Sequence, residues 1–317
     1  GGGDIGASIA AFESLAYGDL SVLVKVGVQF GLFGGAILQL GTKRHHDAYL
    51  ADVVSGRLLG CFAMTETGHG SNVQALGKVA TYDPATSEFV VTTTTHSAGK
   101  DYIGNAARHA RVAVVFAQLE VAGEGHGVHA LVVPLRDEDG ATLPGVRIED
   151  DGAKMGLNGV DNGRLAFDHV RVPRENLLNR FADVTPSGVY ESAIENPNRR
   201  FFTMLGTLVQ GRVCVGGAGI NAAKVALAIA LRYSVRRRQF EATSSEEEQV
   251  LLDYGMHQRR LLPLLARTYA LHFAQEVVSG QLHDVFSGPG PVEEGSDEHA
   301  RRMLESRAAG TKALGTW

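Results

Sequence analysis

Cys61-Phe62-Ala63-Met64-Thr65-Glu66-Thr67-Gly68-His69-Gly70-Ser71-Asn72 is the stretch on which the reading of this chain turns. A short apolar run ends in a turn that carries two glycines and a cluster of hydroxyl, carboxylate and amide groups. Glycine lets backbone N–H groups approach a ligand closely, because no Cβ stands in the way. Thr65, Thr67 and Ser71 add hydroxyls that donate or accept. The mixture suits a flat, polar-edged cofactor and a substrate sharing one pocket. Taken alone, its glycines and serine favour a surface loop between two elements. Two further stretches weigh against the loop: Gly99-Lys100-Asp101-Tyr102-Ile103-Gly104-Asn105-Ala106, and Arg232-Tyr233-Ser234-Val235-Arg236-Arg237-Arg238-Gln239-Phe240.

On the N-terminal side of this stretch the chain reads as helical. Ile9, Phe12, Leu15 and Ala16 share one face at helical spacing. Asp19 is placed to cap a helix beginning near Leu20, and Thr42 to cap the next. In that next helix Tyr49, Leu50, Val53 and Val54 form the apolar stripe, with Gly56 and Gly60 at its exit. Residues 22–40 are apolar and long, but Lys25, Gln29 and several glycines interrupt them. They read as a buried helix pair, with no membrane span. His45-His46 suggests a metal pair. Adjacent helical residues point about 100° apart, however, so a solvated helix start is expected and no metal.

On the C-terminal side the period changes to two. Residues 89–95, 111–117, 129–134, 145–148 and 164–167 are rich in β-branched side chains. Asp83-Pro84 and Asp139-Gly140 signal turns between them. Short strands at this spacing suggest a β-barrel or sandwich inserted between helical segments. Residues 180–200 read as a polar linker. Beyond it Val215, Ala218, Ala222, Val225, Ile229 and Tyr233 mark a helical seam. Gly216-Gly217-Ala218-Gly219 lies inside that seam with no strand before it. It is expected to permit close helix packing, not to bind a dinucleotide. Glu246-Glu247-Glu248 reads as the start of another helix, Pro263 as a kink or break in it, residues 280–295 as a loop, and Ser296 or Asp297 as the cap of a last helix. The expected architecture is α+β: a helical segment over 1–60, an antiparallel β-barrel or sandwich over 61–175, and a helical bundle over 176–317.

The chain has 317 residues, 44% apolar and 21% charged, the proportions of a soluble globular protein. Its net charge of −5 argues against a general nucleic-acid binder. Two widely separated cysteines, Cys61 and Cys214, give neither a disulfide framework nor a zinc site.

Four stretches together resemble the acyl-CoA oxidase branch of the acyl-CoA dehydrogenase superfamily. The family's Thr-Glu-x-Gly-x-Gly-Ser stands as Thr65 to Ser71, its Lys-x-aromatic-Ile-x-Asn as Lys100 to Asn105, and its Arg-x-Gln-Phe as Arg237 to Phe240. Phe167-Asp168-His169-Val170-Arg171-Val172-Pro173-Arg174-Glu175-Asn176-Leu177-Leu178 matches the strand that closes the family's middle domain. The resemblance covers nearly the whole chain and implies that the family extends past both ends, so a fragment is expected.

The resemblance implies FAD as cofactor, a fatty acyl-CoA as substrate and O2 as electron acceptor. The implied product is a trans-2-enoyl-CoA, formed with hydrogen peroxide as in fatty acid β-oxidation. Thr65 matches a threonine that hydrogen-bonds the flavin edge, with Met64 adding backbone contact. Tyr102 takes the place of an aromatic that walls the flavin. Gly104 stands where dehydrogenases usually carry a hydroxyl residue, which implies room beside flavin N5 for O2; the alternative is a turn that needs positive φ. Lys154-Met155-Gly156 also looks oxidase-like. Arg237 and Gln239 match residues that reach the FAD of a neighbouring subunit, implying a homodimer. Arginine suits a diphosphate through its fork of donors. Ser71 matches a position facing the thioester arm, or serves as a cap. Arg212 matches an arginine near the active site, or is a surface residue of the bundle. The general base is a glutamate expected beyond Trp317. Gln210-Gly211-Arg212, where some relatives place it, holds no carboxylate, and no motif supports Glu276 or Glu305. A peroxisomal location follows if the source is eukaryotic, a cytoplasmic one if bacterial. The competing readings are a dehydrogenase that passes electrons to a protein, a catalytically dead flavin-binding paralogue, and a helical interaction module with a β insert.

Overall fold

Helices open the chain where its caps and apolar spacing place them. In this computed structural model, residues 4–206, 209–241, 246–287 and 298–317 are described. Helix α1 (Ile5–Leu15) begins at Asp4, whose carboxylate accepts the Ala7 N–H at 2.9 Å. Asp19 caps α2 (Leu20–Val26) by accepting the Val22 N–H at 2.8 Å. From there the helix runs unbroken through a π-helical segment, Gly27–Gly34, into α3 (Gly35–Leu40). The expected helix pair is therefore one run, because the backbone at Val26, Gly34 and Gly35 stays right-handed and nothing ends it. It is long and apolar enough to cross a membrane by length and composition, yet Phe33, Ile37 and Leu40 are buried in a protein core.

Next come α4 (Lys43–His45), a second π turn (His46–Leu50) and α5 (Ala51–Val54). Val53 packs inward with Tyr49 and Leu50, whereas Val54 of the expected stripe faces solvent. The expected solvated histidine start fails for His45, while His46 stays partly exposed. His45 is buried: its Nδ1 accepts the Thr42 N–H at 3.1 Å and its Nε2 donates to the Glu175 carbonyl at 2.9 Å. Burial lowers its pKa and keeps it neutral. His46 is bonded through Nε2 to the Leu38 carbonyl at 3.0 Å.

The β region comprises β1 (Gly60–Ala63), β2 (Val79–Asp83), β3 (Glu88–Thr92), β4 (Lys100–Ile103), β5 (Val112–Val121), β6 (Glu124–Pro134), β7 (Val146–Asp150), β8 (Gly163–Phe167) and β9 (Val170–Pro173). One sheet runs β1-β5-β2-β3-β9 with β6 on the other edge of β5; a second runs β4-β8-β7. Most pairs are antiparallel, but β1 and β2 both pair with β5 in parallel, β1 along Val112–Val115 and β2 along Gln118–Glu120. Long connections to β5 make that possible, since parallel neighbours cannot be joined by a tight hairpin. Strand β5 is buried on both faces, which is why it reads as an almost continuous apolar run. Ala113, Val115, Ala117 and Leu119 join Phe89, Leu131, Leu165 and Phe167 in one core. Val114 and Phe116 join Phe33, Ile37 and Leu40 in another.

The expected linker is more structured than its composition suggests. It holds a small hairpin, β10 (Asp183–Val184) with β11 (Tyr190–Glu191), and then α6 (Pro197–Gly206). Buried Arg200 ties it down by donating to the Ile194 and His126 carbonyls at 3.1 and 2.5 Å.

The chain packs as two compact units, Val24–Leu208 and Gly1–Leu23 with Val209–Trp317. The second unit holds α1, α7 (Val209–Ser234), the hairpin β12 (Arg238–Glu241) with β13 (Glu248–Val250), α8 (Gly255–Phe286) and α9 (Glu298–Gly315). The buried side of α7 is not the expected seam. Ala218 is inside, but Val215, Ile229 and Tyr233 are exposed, and Val209, Val213, Gly216, Gly217, Ile220 and Leu227 are buried instead. The glycines decide the face. A Cβ on Gly216 would lie 3.4 Å from the Lys312 Cα, and one on Gly219 would lie 2.7 Å from the Gly315 carbonyl oxygen. Glu248 lies in β13 and not at a helix start, because it pairs with Glu241 while Gln249 and Val250 pair with Gln239 and Arg238. Pro263 sits inside a continuous α8, and residues 280–286 extend that helix where a loop was expected. Ser296 and Asp297, the expected caps of α9, lie outside the described residues.

Two glycines should respond oppositely to alanine. At Gly219 a methyl group meets backbone, and overpacking of this kind costs about 1–3 kcal/mol. At Gly280, in α8, nothing lies within 4 Å of an added Cβ, and the helix should gain about 0.4–1 kcal/mol. Thermal unfolding of Gly219→Ala and Gly280→Ala in the intact protein checks both signs. A stabilised Gly219→Ala would remove the close-packing account of the seam.

Candidate functional site

The first two motifs lie side by side. Beyond β1 the chain runs antiparallel to the start of β4. The Asp101 N–H donates to the Thr65 carbonyl at 3.1 Å, the Thr67 N–H to the Gly99 carbonyl at 3.0 Å, and the Gly68 N–H to the Ser97 carbonyl at 2.9 Å. Gly68 suits this close approach, since a Cβ would lie 3.0 Å from Ser97 Cβ.

A buried ion pair locks this arrangement. The Glu66 and Lys100 side chains are fully excluded from solvent, with Lys100 Nζ 3.1 Å from Glu66 Oε1. Lys100 also donates to the Met64 carbonyl at 2.8 Å. The carboxylate accepts two backbone N–H groups, from Gly77 at 2.7 Å and Lys78 at 3.1 Å. One carboxylate thus joins three segments of chain. Lys78 is a second buried cation beside it, donating to Thr93 Oγ1 and standing 4.7 Å from the centre of the Phe167 ring. Burial pulls the Lys78 pKa down to about 7, with the Lys100 charge adding to the effect. Burial pulls Lys100 to about 8 against the support of Glu66.

Asp101 shapes the tip of the second motif. Its buried carboxylate accepts the Tyr102 N–H at 2.9 Å, Arg164 Nε at 3.1 Å and the Thr67 hydroxyl at 3.1 Å. Tyr102 adopts φ +63° and is 68% exposed; Asn105 adopts φ +69°. Left-handed backbone at a tyrosine is uncommon and strained. It is held by the Asp101 carboxylate and by Asn162 Nδ2, which donates to the Tyr102 carbonyl at 3.0 Å. Gly104, between them, is not in the left-handed region. The alternative that it serves a positive-φ turn is therefore wrong; the strain sits on its neighbours.

Asn105 is buried, donating to the Gly60 carbonyl at 3.1 Å and accepting from Lys25 Nζ at 3.0 Å. Lys25 also pairs with Asp161 and approaches His109 Nδ1 to 3.0 Å. Burial alone would raise the Asp161 carboxyl. Hydrogen bonds from Lys25, from the His109 ring and from the Arg108 and His109 N–H groups outweigh it and hold the carboxyl well below the usual range.

Met64, Thr65, Tyr102 and Gly104 are thus brought to one place. Met64 is buried, Thr65 half-buried, and the Thr65 and Tyr102 hydroxyls have no hydrogen-bond partner among the described residues. Ser71 is exposed on the following loop, and it is its carbonyl, not its hydroxyl, that caps Val73 at 3.0 Å. Arg212, Arg237 and Gln239 belong to the helical unit. Arg212 is exposed on α7. Arg237 is exposed just past the end of α7, with its backbone bonded to Tyr233 and Leu251. Gln239 is half-buried on β12, and its carbonyl accepts the Tyr254 hydroxyl. Sequence reasoning missed Lys25, Lys78 and Asp161, and treated Glu66 and Lys100 only as motif letters. A Glu two residues past an apolar run and a Lys opening the next motif were the available signal.

Residues 61–170 match the acyl-CoA dehydrogenase middle domain, and residues 205–317 match the acyl-CoA oxidase C-alpha1 domain. The chain belongs to the acyl-CoA oxidase family. The peroxisomal acyl-coenzyme A oxidase 3 of Arabidopsis thaliana is 47% identical over 309 residues, covering 98% of this chain and 44% of that protein. The crystal structure of acyl-CoA oxidase 3 from Yarrowia lipolytica superposes with a TM-score of 0.83 at 37% identity, over 98% of this chain and 45% of that one. Acyl-CoA oxidase-2 of Caenorhabditis elegans, solved with FAD, ascaroside-CoA and ATP, gives 0.77 at 32% identity, over 92% and 44%. The chain therefore spans less than half the length of these acyl-CoA oxidases.

The Lys78 shift makes stability depend on pH. Its folded pKa of about 7 lies below the ordinary 10.5. Between those values the unfolded chain binds the extra proton, so stability rises with pH; below about 7 that contribution is gone. Urea unfolding of the intact protein should show stability increasing from pH 7 to 9, and Lys78→Met should flatten the rise. An equal rise in both proteins would contradict a charge-penalised Lys78.

Proposed function

We propose that this chain is part of an FAD-dependent acyl-CoA oxidase, which converts a fatty acyl-CoA to a trans-2-enoyl-CoA and reduces O2 to hydrogen peroxide. The observation that carries the proposal is the joining of Thr65 and the Tyr102–Gly104 tip by the Glu66–Lys100 pair. In this reading a flat ring system lies beside this tip. The Thr65 hydroxyl is uncommitted and rotates to donate or accept. The backbone at Gly104 carries no side chain of its own, and Tyr102, two residues before it, is exposed. Bound FAD supplies the acceptor for the hydride lost from the substrate.

The chain's own residues bind and orient in this reading. Met64 and Thr65 contact the flavin edge, Tyr102 walls it, and Ser71 faces the thioester arm. Arg237 and Gln239 reach the FAD of a second subunit in a homodimer, and Arg212 lies near the acyl-CoA. The general base that takes the substrate's α proton is proposed to come from chain outside residues 1–317. Relatives from Arabidopsis thaliana and Homo sapiens are named peroxisomal, and a peroxisomal location is proposed for a eukaryotic source. One observation keeps a dehydrogenase in view as a second reading: the volume beside Gly104 is filled from elsewhere, by Val28.

The full-length protein should carry the absorbance of oxidised flavin, bleach with palmitoyl-CoA under anaerobic conditions, and release peroxide when air is admitted. Bleaching without peroxide would favour the dehydrogenase. A colourless protein that takes up no added FAD would overturn both readings. Arg237→Ala should lower flavin retention on dialysis and weaken the dimer together, because a cofactor held across an interface links the two equilibria.

A further inference from the structure

The position that the sequence marks as an opening is closed by another part of the chain. A Cβ built on Gly104 would lie 2.9 Å from Val28 Cγ2, 3.7 Å from Val28 Cγ1 and 3.6 Å from Val160 Cγ1. Val28 is buried, at 8% exposure, and is the second residue of the π-helical segment Gly27–Gly34. π-Helical geometry is rare and is frequently found at functional sites. Here the segment is anchored on both sides of Val28. Lys25, one turn earlier, bonds Asn105 next to Gly104 at 3.0 Å. Gln29, immediately after, accepts the Gly60 N–H at 3.0 Å and donates to the Leu58 carbonyl at 2.8 Å. A β-branched side chain on a helix is confined largely to one rotamer, so Val28 cannot readily swing aside.

We propose, resting on the flavin reading above, that Val28 is a gating residue: its isopropyl group stands in for the absent side chain of residue 104. The volume at position 28, rather than the absence of one at 104, sets how closely O2 approaches the reduced flavin edge. In the step concerned, reduced FADH2 gives two electrons and two protons to O2, yielding oxidised FAD and H2O2. Val28 exchanges neither electrons nor protons and acts only by occupying space.

The test uses full-length protein carrying Val28→Ala, Gly104→Ser, or both. Gly104→Ser alone should lower the Tm of the flavin-free protein and its flavin content, because the new Cβ collides with Val28. The double variant should recover much of both losses, the non-additivity expected of residues in contact. In holoenzyme, Val28→Ala should raise severalfold the ratio of the O2 reoxidation rate to the anaerobic acyl-CoA reduction rate, and the double variant should lower that ratio again. Additive effects on the Tm would overturn the packing of Val28 against Gly104. An unchanged ratio in Val28→Ala would overturn the gate. A full-length protein that binds no flavin overturns the underlying reading, and the Tm cycle on flavin-free protein still decides the contact.

Discussion

A single buried carboxylate holds the candidate site together. Glu66 accepts from Lys100, from the N–H of Gly77 and from the N–H of Lys78, while Lys100 reaches back to the Met64 carbonyl. Taking two charges out of water is expensive, and such a pair is weak evidence for stability in itself. Its effect is geometric. The Glu66–Lys100 bond joins the two side chains and the other three each fix a backbone atom, so the end of β1, the approach to β2 and the start of β4 keep one register. Removing one partner would leave the other charged and buried, a loss of about 3–5 kcal/mol.

The rest of the site is arranged from that fixed point. Asp101, next to Lys100, holds Tyr102 in a left-handed conformation that presents its ring to solvent. Asn105, at the far side of the tip, is held by Lys25 and by the Gly60 carbonyl. The helical run therefore meets the second motif through Lys25 and the first residue of β1, Gly60, through Gln29. Strain at Tyr102 and Asn105 is tolerated because both residues are bonded on each side, and a strained tip on a rigid support is a common form of binding site.

Much of this was legible in the sequence, for reasons that differ by element. Strand β5 was readable because Val112 to Ala117 are apolar without interruption, and the Asp19 cap because its side chain has a local partner. The glycine-rich stretch of α7 was correctly a packing surface. Its face was not legible, since the helical period allows several apolar stripes, and the glycines, not Val215 or Ile229, set the contact. Glu248 was misplaced because three successive acids suit a helix start locally, whereas its pairing with Glu241 is decided across the hairpin. His45 was misjudged for the same reason: its partner, the Glu175 carbonyl, is remote in sequence. The motifs located Thr65 and Gly104 but not Val28, because nothing in a valine within an apolar helix announces which glycine it will meet.

The central claim is that Glu66 and Lys100 act as one unit to set the geometry of the flavin site. A double-mutant cycle of Glu66→Gln and Lys100→Met, read as FAD affinity and urea stability of the full-length protein, tests it most directly. The account predicts that each single substitution weakens both strongly. It also predicts that the double variant is less damaged than the sum of the two, with Lys100→Arg retaining part of the affinity. Additive losses, or single variants that bind FAD as the unmodified protein does, would contradict it.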